Sequence, residues 1–146
     1  MIPIRYRVAP AGTDTRSGLL AFDVRDGLRY MVKRDYQKAI KLAKTLYKYE
    51  DCNDLVYQLV GNCYDYLKNP KKALKVYAQG LKRFPDSGAL YLEQGVVSGM
   101  QGHYDEAVAS FEKGISVAPM FPSNYYRAAQ FMLIPPARSG ARFMAR

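Results

Sequence analysis

By residue type, one histidine and two cysteines are the best candidates for catalysis or metal binding in this chain of 146 residues. Their placement supports neither. His103 stands between Gly102 and Tyr104, with no second imidazole and no thiol at ligand spacing, so it reads as a solvated turn histidine. Cys52 and Cys63 are 11 residues apart and form no CxxC pair. That excludes a zinc signature and a disulfide framework, and suits free thiols in a reducing compartment. Cys63 is expected as a small core residue and Cys52 as a loop thiol. No serine–histidine–aspartate set, paired-carboxylate site, phosphate loop or dinucleotide fingerprint occurs. The run Gly99-Met100-Gln101-Gly102 reads as a helix end and turn. No catalytic residue, no metal and no cofactor is therefore expected, and the chain reads as a non-enzyme.

Charge is the second chemical feature. The formal net charge is +9. Bases dominate up to residue 87 and again in the last 25 residues. Between them, 88–121 is net acidic, with Lys113 against Glu93, Asp105, Glu106 and Glu112. Acidic proteins, nucleic acid and anionic lipid all fit that balance on charge alone. Most lysines cluster at 38–48 and 71–82, where arginine is scarce and no aromatic stacking platform interleaves them. A solvated lysine face is the reading preferred over nucleic-acid binding. Met1 to Ser17 holds Pro3 and Pro10 and no long apolar run, and no segment has the apolar length of a membrane span. A cytoplasmic location is expected.

The elements that carry these residues repeat. Gly27, Gly61 and Gly95 are spaced by 34, as are Ala39, Ala73 and Ala107. At the same interval Tyr30 pairs with Tyr64, Tyr57 with Tyr91, Tyr77 with Phe111, Gly80 with Gly114 and Pro85 with Pro119. Tyr57, Val60 and Tyr64 make one face at helical spacing, as do Leu74, Tyr77 and Leu81. Asn69-Pro70 is a helix start, and Pro85 and Pro119 stop helices. A mid-helix glycine costs about 1 kcal/mol, so Gly61 and Gly95 imply close backbone approach by a partner helix. Helices are expected near 20–32, 35–50, 54–67, 70–84, 88–101, 104–118 and 122–133.

This pattern resembles the tetratricopeptide repeat family, closely over 54–87 and 88–121 and more loosely over the degenerate repeat 20–53 and a partial repeat at 122–134. Residues 1–19 would be an irregular N-terminal segment and 135–146 a basic tail. The resemblance implies an all-α, short right-handed superhelical solenoid of antiparallel helix pairs. Asp23 and Asp26 fall where Tyr57 and Val60 fall one repeat later, so the first helix is expected to be rotated or off-register.

The resemblance also implies a function: a protein-protein interaction module that binds a partner segment in its concave groove or along an exposed edge. The alternatives are a piece of a larger scaffold with no ligand of its own, and weak nucleic-acid binding through the convex lysine face. Matched residue by residue, the groove takes Val24, Leu28 and Met31 from the first helix and Gln58, Asn62 and Tyr66 from the third. It takes Leu92, Val96 and Met100 from the fifth, and Tyr126 from the last. This stripe is expected to be apolar and centred on Leu92, Val96 and Met100. Some family members clamp a C-terminal carboxylate. Here only Asn62 and Arg127 match that clamp, Gln58 and Ser123 depart from it, and Glu93 would repel the ligand, so no clamp is expected. Pro135-Pro136 blocks a capping helix. Self-association through an apolar flank around Tyr125, Phe131 and Leu133 is therefore also expected.

Overall fold

The computed structural model describes residues 15–50 and 52–133, with the side chains of 15–23 excepted. Within these residues the chain forms seven α-helices and no strand: α1 Thr15–Val32, α2 Tyr36–Lys44, α3 Asp54–Tyr66, α4 Pro70–Arg83, α5 Gly88–Met100, α6 Tyr104–Val117 and α7 Pro122–Met132. Helix α1 starts at Thr15, five residues ahead of the expected 20. Helix α2 ends early and passes into a 3₁₀ turn, Thr45–Lys48. The cause is local: the Thr45 hydroxyl donates to the Leu42 carbonyl at 2.6 Å, which favours the tighter i→i+3 winding. Of the expected irregular segment 1–19, residues 15–19 are helical and 1–14 lie outside the described residues, as does the expected basic tail 135–146.

The helices pair as α1/α2, α3/α4 and α5/α6, with α7 beginning a fourth pair. Consecutive first helices, α1, α3, α5 and α7, also pack on one another and make a continuous inner layer. Each turn within a pair is the same device. Arg34 and Lys68 adopt φ 63° and Gly102 φ 87°, at positions spaced by 34. In each, the following amide reaches back to the last turn: Asp35 N–H to Tyr30 O, Asn69 N–H to Tyr64 O and His103 N–H to Ser98 O. A left-handed residue closing such a 6→1 bond stops one helix and reverses the chain into the next. Asp35 and Asn69 then cap α2 and α4 by accepting from Lys38 and Lys72 amides, whereas His103 makes no such cap on α6.

The small residues permit the close pairing. Ala39, Ala73 and Ala107 are fully buried. A side chain on Gly61 would overlap the Tyr77 ring, and one on Gly95 the Phe111 ring. The core is divided. A large cluster runs from Val24 to Val97 and includes Val56, Val60, Tyr77 and Leu90. A small second cluster holds Ala107, Phe111 and Ala128, flanked by Leu92, Val96, Ile115 and Phe131. Both thiols belong to the large one. Cys52 lies in the loop ahead of α3, as expected, and is buried there. Burial pushes the Cys63 thiol up to about 11, so almost no thiolate exists near neutral pH.

Candidate partner-binding groove

The inner layer is the face on which the groove is expected, and the described side chains divide on it. Three large groups project into solvent: Tyr66 at 57% exposure, Met100 at 80% and Tyr126 at 64%. Tyr66 and Met100 are equivalent positions on neighbouring helices α3 and α5. Tyr66 is braced by a parallel stack on Tyr36 at 5.2 Å. Tyr126 accepts from Gln130 at 3.3 Å, and Gln130 in turn accepts from Arg127 at 2.9 Å.

The rest of the expected stripe sits differently. Val24 is buried in the core and does not line the groove. Met31 is partly buried against the same core. The reason is rotation of α1. Val24, Gly27 and Met31 form its packing face, and a side chain on Gly27 would meet Leu59 of α3 instead of the paired helix. Asp26, displaced to the outside, pairs with Arg29 at 3.2 Å. Leu28 is exposed, but it shares a shallow cavity with Arg25, Arg29, Val32 and Lys33, all from the first pair. Leu92 and Val96, the expected centre, are half-buried and pack against the second cluster, where Phe131 also lies. They support α7 as much as they face the groove.

Polar residues fill the middle. Asn62 accepts a hydrogen bond from the Tyr77 hydroxyl across the helix pair. Glu93 is raised above the usual carboxylate range, first by burial and then by the neighbouring charge of Asp65, with Arg127 pulling the other way. The expectation of an apolar groove is thus corrected. The exposed apolar groups stand around an acidic centre. The repeat register places Tyr66, Met100 and Tyr126 on this face, and Asp65 with them; only the approach of α3 to α5 shows that Asp65 acts on Glu93.

Residues outside the expected stripe fix this geometry. Arg83, at the end of α4, donates to the carbonyls of Tyr47 and Tyr49 at 2.6 and 2.5 Å, pinning the connection between the first two pairs. Ser87 caps α5 through the Leu90 amide and donates to Asp54 of α3 at 2.6 Å. Asn124 occupies the slot held by Val56 and Leu90 in earlier repeats, is fully buried, and donates to the Gly88 carbonyl at 2.9 Å.

Stacked antiparallel pairs with an inner layer of first helices define a helical-repeat solenoid. The tetratricopeptide repeat family profile matches two repeats of this chain, residues 55–87 and 89–119. No curated protein matches the sequence. Among solved structures, MamA is similar at 20% identity and a TM-score of 0.63, over 77% of this chain and 66% of that one, just under two thirds of its length. PcrH bound to the chaperone-binding region of PopB is similar at 18% identity and TM-score 0.65, over 82% of this chain and 95% of the other. The first repeat domain of Spaghetti (RPAP3) bound to the HSP90 peptide SRMEEVD is similar at 14% and 0.65, over 77% and 90%. At these identities the likeness shows the fold. No helix among the described residues is long and apolar enough to cross a membrane.

Proposed function

We propose that this chain is a non-catalytic protein-interaction module that holds an extended segment of another protein against α3, α5 and α7. The observation that carries the reading is the projection of Tyr66, Met100 and Tyr126 into solvent from the inner layer. Exposed aromatic and methionine side chains cost about 25 cal/mol per Å² of apolar surface unless a ligand covers them. Tyrosine presents such area with little rotamer entropy to lose. The PcrH and RPAP3 structures, each solved with a bound segment of another protein, support the reading. The acidic centre at Glu93 and Asp65 disfavours a segment that ends in a free carboxylate there, unlike the RPAP3 peptide.

The test is site-specific photocrosslinking with mass spectrometry. A crosslinker at Met100 should capture a discrete partner segment, and one at Lys41 on α2 should not. Combining Tyr66→Ala with Tyr126→Ala should weaken capture by at least about tenfold, as two aromatic anchors would. Equal capture from both positions, or capture unchanged by the double substitution, overturns the groove. Val96→Glu is a poor probe, because Val96 also packs against the second core cluster.

A further inference from the structure

On the opposite side of the solenoid, α2 and α4 both pack near α3 and leave a cavity of about 250 Å³ between them. Its walls are Lys44 from the last turn of α2, Tyr64 from α3, and Lys72, Lys75, Val76 and Gln79 from α4. The four α4 residues follow an i, i+3, i+4, i+7 pattern, so one face of that helix is committed to the cavity. We propose that this pocket is a second binding site, independent of the groove, which takes a phosphoryl group.

Three observations converge on that ligand. First, three ammonium groups line the cavity and no carboxylate does. Second, two of them crowd one ring: Lys44 Nζ and Lys72 Nζ lie 5.3 and 5.6 Å from the centroid of Tyr64. Their repulsion is relieved by an anion between them, and α4 has no acid in its first turn to do so. Third, Lys44 donates to the Tyr64 hydroxyl oxygen at 2.9 Å, which leaves the Tyr64 proton to be given to a ligand. Three point charges with a neutral O–H donor and the Gln79 amide suit a dianion with several acceptor oxygens. A single carboxylate would leave charge unmatched.

The probe is inorganic pyrophosphate, titrated into the intact chain at constant ionic strength and followed by NMR at the Tyr64 and Gln79 resonances. Saturable shifts are expected. Lys44→Gln combined with Lys75→Gln should weaken binding about tenfold or more, since it removes two charge-assisted contacts. Lys41→Gln combined with Lys71→Gln makes the same change in net charge outside the cavity and should alter affinity less than about twofold. Both pairs are exposed, so the fold should survive, and the amide spectrum checks it. A flotation arm uses phosphatidylcholine vesicles with and without phosphatidylinositol phosphate. Binding only to the phosphorylated vesicles, lost with Lys44 and Lys75, assigns the group to a lipid headgroup. Pyrophosphate binding without flotation assigns it to a free phosphate ester. Absence of saturable pyrophosphate binding overturns the site. So does equal loss in both double variants, or preferential binding of an oligonucleotide with the same indifference to which lysines are changed, because each means diffuse charge.

Discussion

Single residues carry both the packing and its strain. Ala73 and Ala107 sit at fully buried helix crossings. Ala73→Leu and Ala107→Leu should each overpack the site and lower stability by about 1–3 kcal/mol, read as a lowered melting midpoint. An unchanged midpoint would contradict the tight crossing. Glu93 should behave in the opposite sense. Its folded-state pKa is raised, so the penalty of ionising it in place is absent below the unfolded-state pKa and fully present above the folded one. Glu93→Gln should therefore raise the melting midpoint at neutral pH. The gain should vanish in acid, where the native carboxyl is protonated. A gain independent of pH would mean that charge is not the cause. The alanines and glycines were legible in the sequence because the repeat exposes them three times over. Glu93 was legible only as a residue that repels carboxylates, since its raised pKa comes from burial in the packed array and from the charges of Asp65 and Arg127 on other helices.

At the scale of the element, the helix bounds were legible almost throughout. Capping residues and prolines are local signals, and local geometry obeyed them. The exceptions are the early start of α1 and the 3₁₀ turn at Thr45. The rotation of α1 was half-legible: Asp23 and Asp26 announced that the usual face could not pack, but only the contact of Gly27 with Leu59 shows that the answer is rotation and not slippage. That rotation is also why Val24 left the groove. The three equivalent turns supply a paired test. Lys68 holds a left-handed φ that costs a side chain about 1 kcal/mol, whereas Gly102 holds the same conformation freely with open space where a Cβ would stand. Lys68→Gly should stabilise by up to about 1 kcal/mol and Gly102→Lys should destabilise by a similar amount, measured by denaturant titration. The same sign for both would show that the turn is not governed by its backbone angle.

For the whole molecule, the family resemblance predicted the architecture. The outer flank of α7 bears Tyr125, Met132 and Leu133, the last at 80% exposure. Phe131, expected on that flank, instead turns inward to pack on Phe111 at 5.4 Å. Among the described residues, the remaining exposed groups still form an apolar edge, so self-association is the expected outcome. Light scattering over a concentration series should show mass rising with concentration, and Met132→Glu with Leu133→Glu should abolish the rise. A monomer at every concentration would remove the edge from consideration.

The division of the core sets an order of events when the chain is perturbed. Helix α7 is attached through Ala128, Phe131 and one buried amide of Asn124, whereas α3 and α4 share the large cluster. Nearest-neighbour coupling in such an array means that the end can open without the middle following. Native-state hydrogen exchange should find the amides of α7 opening at a fraction of the global unfolding free energy, with those of α3 and α4 at its full value. Uniform protection along the array would contradict this. Each opening uncovers the half-buried faces of Leu92 and Val96 and the Gly88 carbonyl together. Helix α7 is then a latch whose release momentarily shortens the inner layer by one helix and bares the face of α5 beneath it.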